Sequence, residues 1–323
     1  MVDFTFDNPI YLFALVSIPL LILAHFIIMK SVVRRALKFA NFEAIQRVEG
    51  TQGVMGNVRS LSKNLFLLIL RSSTLFFLIL AAAGSTLWYV GDTNDFDFVL
   101  AIDASGSMLA NDILPNRLEA AKESAIEFID SLPFRTKIGV ISFAGTSYIE
   151  EPLTTDTSRL RESIDQISVR STHGTAIGNA IATAATLMYD AKRPKVVILL
   201  TDGQENVLSQ SELSKVVRFA NDEHMKINTI GIGTAEGDSL EILPEIDALF
   251  TLDQDTLIYV ANRTGGESFT VSNEQELFDA YRTISTSSKA DIPVELSFPF
   301  IILAIVLSFI EWVLINTKYR TIP

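Results

Sequence analysis

Three stretches of the chain are apolar almost without interruption. Residues 9–29 hold no strongly polar side chain except Ser17 and His25, a second run covers about residues 65–90, and a third about residues 298–315. A helix rising about 1.5 Å per residue needs roughly 20 residues to cross a bilayer core. One such helix can be buried in a soluble core, but three exceed what one core accommodates, so all three are predicted to be transmembrane helices. The first is not read as a cleavable leader. Residues 1–8 carry two Asp and no Lys or Arg, and Ser31-Val32-Val33-Arg34 offers no small-x-small cleavage site.

Between the second and third runs, short apolar blocks alternate with amphipathic ones. Strands are predicted near 96–102, 137–143, 195–201, 226–232 and 267–271, with helices near 116–131, 157–167, 175–189, 211–224, 255–263 and 274–286. A block such as Phe98-Val99-Leu100-Ala101-Ile102 is apolar on both faces, as a buried parallel strand must be. The alternation predicts an α/β fold, a doubly wound, mostly parallel sheet. Residues 236–252 follow no period. The predicted organisation is a membrane hairpin over 1–90, with helices at 9–29 and 65–90 around a basic loop at 30–63, then a globular domain over 91–291. The third transmembrane helix and a short tail occupy 292–323.

Charge adds orientation. The net charge of −12 conceals 32 acidic against 16 basic side chains between Gly91 and Asp291, a net of −16 that leaves +4 for the rest. So acidic a domain repels phosphate backbones, which argues against nucleic acid as a partner. The 30–63 loop carries Lys30, Arg34, Arg35, Lys38, Arg47, Arg59 and Lys63 against Glu43 and Glu49, and the tail carries Lys318 and Arg320. Both clusters place their segments in the cytoplasm, with the N-terminus and the globular domain on the extracytoplasmic side of the inner membrane. Arg71 and Glu311 fall inside spans, each roughly 10 Å from the cytoplasmic face by helix rise. They either pair or snorkel separately to the interface. The chain has no cysteine, hence no disulfide framework and no thiolate chemistry.

Candidate chemistry gathers where strands end. Asp103-Ala104-Ser105-Gly106-Ser107 puts a carboxylate and two hydroxyls at alternate positions of a turn following the 96–102 strand. Thr175 opens a predicted helix, where its hydroxyl either caps that helix or reaches a metal. Asp202 follows the 195–201 strand. The carboxyl ends of strands are where open α/β sheets hold ligands, and Asp, Ser and Thr oxygens are hard donors suited to Mg²⁺, Mn²⁺ or Ca²⁺.

Asp103-x-Ser105-x-Ser107, Thr175 and Asp202 resemble the five-residue metal-ion-dependent adhesion site of von Willebrand factor A (vWA) domains, a likeness that covers about residues 95–289. A narrower resemblance, to membrane-anchored A-domain proteins of the aerotolerance (Bat) type, rests on four stretches. These are Leu37-Lys38-Phe39-Ala40-Asn41, the run from Leu114-Pro115-Asn116-Arg117 to Lys122, Phe143-Ala144-Gly145, and Glu311-Trp312-Val313-Leu314 with Arg320 and Pro323. The resemblance implies a Rossmann-like domain with a short antiparallel edge strand near Tyr148 to Glu150. It also implies one Mg²⁺ (or Mn²⁺ or Ca²⁺), bound through Ser105, Ser107 and Thr175, with Asp103 and Asp202 acting directly or through water.

The function so implied is a metal-dependent protein-binding module, not an enzyme, whose protein ligand supplies an Asp or Glu carboxylate. Assembly with other membrane vWA proteins and with a MoxR-type AAA+ ATPase is implied as well. That ATPase is cytoplasmic and would have to touch the 30–63 loop or the tail. The last domain helix, about 273–285, joins the third span through 286–297, which is either a transmitter of ligand-linked shifts or a passive tether. Two other functions stand as alternatives. One is a metal-dependent cell-surface hydrolase, for which a Ser105/His173/Asp202 triad lacks a G-x-S-x-G elbow; the other is a structural subunit with a non-functional site.

Overall fold

The computed structural model describes residues 2–39, 52–93, 95–170, 174–189, 191, 193–202, 207–233, 253–286 and 289–317. The chain opens with β1 (Val2–Phe6), a 3-10 segment (Pro9–Val16) leading into α1 (Ser17–Phe39), α2 (Gln52–Ala82) and β2 (Ser85–Asp92). There follow β3 (Asp97–Asp103), α3 (Arg117–Ser131), β4 (Lys137–Phe143), β5 (Ser147–Thr154), α4 (Thr157–Asp165), α5 (Ile177–Leu187) and β6 (Lys195–Thr201). Then come α6 (Gln210–Asp222), β7 (Met225–Ile232), α7 (Gln254–Arg263), β8 (Ser268–Val271), α8 (Glu274–Thr286), β9 (Lys289–Glu295) and α9 (Ser297–Asn316). Two units result, Met1–Tyr89 with Pro293–Pro323, and Val90–Ile292.

In the first unit three segments, Pro9–Ile28, Leu65–Ala82 and Ser297–Asn316, are long and apolar enough to cross a membrane. α2 and α9 pack together, with the rings of Phe77 and Phe300 5.6 Å apart, and Arg71 Nε donates to Glu311 Oε1. Of the two fates open to these charges, the structure has them paired. It also corrects two boundaries. The second span stops at Ala82 and not at residue 90, because Gly84 takes φ +70 and starts a turn in which Asp7 N–H and Asn8 N–H donate to Gly84 O and Ala83 O. A Cβ at Gly84 would stand 2.8 Å from the Asp7 side chain, so glycine is required there. The apolar residues beyond it form β2, which pairs antiparallel with β1 in a three-stranded sheet of order β1-β2-β9. Within the 286–297 connector, expected as a transmitter or tether, residues 289–295 form β9 of that sheet.

α1 extends to Phe39 and α2 begins at Gln52, so much of the expected 30–63 loop is helical. Residues 40–51, 236–252 and the tail from Lys318 lie outside the described residues.

The second unit carries a six-stranded sheet of order β5-β4-β3-β6-β7-β8, parallel except for β5, which pairs antiparallel with β4. The expected edge strand is present and longer than its three-residue core. Alternate residues of β3 enter opposite cores, as the apolar pattern requires. Phe98, Leu100 and Ile102 join Phe128, Leu160 and Tyr281 on one face, and Val99 and Ala101 join Ile181, Val217 and Val260 on the other. From β3 the chain winds toward β4, and from its neighbour β6 toward β7. The carboxyl ends of β3 and β6 therefore flank the point where the winding reverses, the place where open α/β sheets hold ligands.

Candidate metal centre

β3 ends on Asp103, which is fully buried. Its carboxylate is held from two sides: Ser105 N–H donates to Oδ1 at 2.8 Å, and Thr201, the last residue of β6, donates its hydroxyl to Oδ2. A single 3-10 turn, Gly106–Leu109, brings Ser107 back so that its Oγ lies 2.9 Å from Ser105 Oγ. The turn is anchored by the buried Met108. It does not open a long helix. α3 starts at Arg117, within one residue of the expected 116–131 helix.

Thr175 reaches the same rim through the backbone. Ala104 N–H donates to Phe143 O at 2.7 Å, and Ala176 N–H donates to the next carbonyl, Ala144 O, also at 2.7 Å. Thr175 is buried. Ala176 holds the N-cap position of α5, directly after Thr175, and makes no side-chain cap hydrogen bond itself.

Asp202 follows Thr201 and is 1 % exposed. Burial first, and the Asp202 charge second, push the Asp103 carboxyl up to about 7 from its ordinary 3.8. Two buried carboxylates, the paired hydroxyls of Ser105 and Ser107 and a buried Thr175 amount to a hard, oxygen-only donor set. That chemistry fits a divalent cation such as Mg²⁺, Mn²⁺ or Ca²⁺. Among the described residues no group of three or more His, Cys, Asp or Glu is placed to hold a metal, so hydroxyls are needed to complete any set. His173, the third member of the alternative triad, lies outside the described residues.

One neighbour of the site lies outside the five candidate positions. Arg117, 1 % exposed, is the first residue of α3. Its Nε and Nη2 donate to the two oxygens of Asp112 at 2.8 and 2.7 Å. On its other side Nη1 stands 3.6 Å from Asp202 Oδ2. The signal was present in the helix periodicity: Arg117 shares the stripe of Ala121, Ala125 and Phe128, all buried, and a charge in phase with an apolar stripe has to meet charge inside.

Comparison with known proteins gives the same architecture. Residues 98–204 match the von Willebrand factor type A domain model, and residues 1–84 match the aerotolerance regulator N-terminal model. A UPF0353 protein of Nocardia farcinica is 30% identical over 299 residues, covering 86% of this chain and 87% of that one. The crystal structure of BatB from Bacteroides thetaiotaomicron, 27% identical, superposes with a TM-score of 0.53 over 59% of this chain and 95% of that one. Proximal thread matrix protein 1 of the mussel byssus, solved with a zinc-occupied MIDAS motif, is 22% identical with a TM-score of 0.51, covering 69% and 53% of the two chains. This last likeness is one of fold.

Proposed function

Because the chain belongs to the UPF0353 family, as a membrane-anchored, Bat-type protein with a von Willebrand factor type A domain, we propose that it is a metal-dependent protein-binding module and not an enzyme. The observation that carries this reading is the buried pair Asp103 and Asp202 beside the facing hydroxyls of Ser105 and Ser107. Like charges crowded out of water call for a cation. Asp103, Ser105, Ser107, Thr175 and Asp202 would hold it, and Mg²⁺ is the ion best matched to so few carboxylates, with Mn²⁺ and Ca²⁺ as alternatives. A bound ion supplies positive charge that can accept a carboxylate oxygen. Three of the five donors are neutral, which leaves that charge largely unquenched for an Asp or Glu of a partner protein.

The basic residues of segment 30–63 and of the tail support a cytoplasmic location for both, with the A domain on the outer side of the inner membrane. Other membrane vWA proteins would then meet the metal face, and a MoxR-type AAA+ ATPase the cytoplasmic segments. Affinity capture of the full chain in detergent tests the reading. Partners that are retained with Mg²⁺, and lost both with chelator and in Asp103→Ala, are expected. Capture indifferent to both treatments would sink it. Sidedness is read from single introduced cysteines, since the native chain contributes none.

A further inference from the structure

The seat of Arg117 is built around its guanidinium. Asp112 takes the Nε/Nη2 edge with two hydrogen bonds. Gly233 closes the side: a Cβ there would stand 2.9 Å from Nη2 and 3.0 Å from Cζ. Ala110 O accepts from the Arg117 backbone N–H at 3.1 Å. Nη1 faces Asp202, at 3.6 Å, with no hydrogen-bond partner among the described residues. The positive end of the Arg117–Asp112 pair thus points at a predicted metal ligand and the negative end points away from it.

Resting on the metal-centre reading above, we propose that Arg117 is a positioning residue that shares Asp202 with the bound ion, loosening the ion's hold on the protein and so preserving its charge for a partner's carboxylate. A carboxylate claimed on one side by a guanidinium gives less of its charge to a cation on the other. Asp112 sets how strong that claim is, because it neutralises the guanidinium from the far edge.

The inference predicts effects of opposite sign at neighbouring positions, which a purely structural role would not produce. Mg²⁺ and Mn²⁺ are titrated calorimetrically into the full-length protein in detergent. Asp112→Asn leaves the guanidinium uncompensated and should weaken ion binding about tenfold, the order expected for residues that support a ligand. The double variant Asp112→Asn/Arg117→Gln removes both charges and should bind the ion about tenfold tighter than wild type. Arg117→Lys keeps the charge, and should stay near wild type. Acetate, added to the Mn²⁺-loaded proteins as a carboxylate probe, should bind the double variant more weakly than wild type. Melting curves in chelator establish that each variant is folded, and should the double variant not fold, Asp112→Asn and Arg117→Lys still carry the test. Wild type that takes up neither ion overturns the metal-centre reading and this inference with it. Wild type that binds, with variants that all shift in one direction or not at all, overturns this inference alone.

Discussion

Two arginines of this protein meet carboxylates, and the two regions differ in how the charges balance. In the membrane-anchoring unit Arg71 of α2 and Glu311 of α9 stand one to one. In the A-domain unit Arg117 faces Asp112 and Asp202, and Asp103 is close enough to Asp202 to feel its charge. A balanced pair leaves nothing over and can only fasten one helix to another. An unbalanced cluster, with one cation against three carboxylates among the described residues, leaves negative charge buried, and such an arrangement costs stability. Balance therefore separates a fastener from the proposed binding site more sharply than burial does, since Arg71 keeps a 52 % exposed side chain and Arg117 one of 1 %.

The largest expected effect comes from cancelling the surplus. Asp202→Asn should abolish detectable binding of Mg²⁺ at millimolar concentration, by calorimetry, while raising the melting temperature in chelator by about 2–4 °C, the shift that roughly 1 kcal/mol produces in a domain of this size. Lost binding with a lower melting temperature would show that Asp202 is a fastener like Glu311, and the contrast would fail.

pH gives the next largest effect. The folded Asp103 carboxyl is raised to about 7 from 3.8, so between these values the folded chain holds a proton that the unfolded chain has released. Stability without metal must then fall as pH rises through that window, by a few kcal/mol in all. Thermal melts in chelator should be highest near pH 4–5 and decline to pH 7, and saturating Mg²⁺ should flatten the curve by rewarding the ionised form. A flat curve in chelator would mean that the buried surplus is absent.

A smaller effect belongs to the balanced pair. Arg71→Leu or Glu311→Leu alone should each destabilise the detergent-solubilised protein by about 2 kcal/mol, as broken intramembrane pairs do. The exchange Arg71→Glu/Glu311→Arg should recover most of the loss. If the exchange behaves like the sum of the single changes, position and not pairing decides.

Much of this was legible in the chain, for physical reasons that also explain what was not. The strands of the large sheet are buried on both faces, so their apolar blocks stand out against amphipathic helices, and β3, β4 and β6 lie within a residue or so of their expected limits. The five oxygen donors sit at strand and helix ends, where their spacing is visible. β2 was hidden because its residues Thr86 to Val90 continue the apolar run of α2, and only the turn at Gly84 separates helix from strand. β9 was hidden because seven residues containing Pro293 read as a connector; its pairing is non-local and leaves no local period. Arg117 lies in the Leu114-to-Lys122 motif, yet its partners lie five residues before it and just past the end of a distant strand, which periodicity does not report.

The smallest effect tests whether a site hydroxyl serves the ion alone. Were Thr175 the cap of α5, Thr175→Val would cost about 1 kcal/mol of stability in chelator. Thr175 is buried one residue before the Ala176 cap position, so the cost in chelator should not exceed that of a lost cap, about 1 kcal/mol. Ion affinity should nevertheless fall about tenfold, because a buried methyl stands where a neutral donor oxygen is needed, and Thr175→Ser should retain it. A drop in stability without a drop in affinity would move Thr175 from the site to the scaffold, and the division between residues that hold the fold and residues that hold the ion would have to be redrawn at this position.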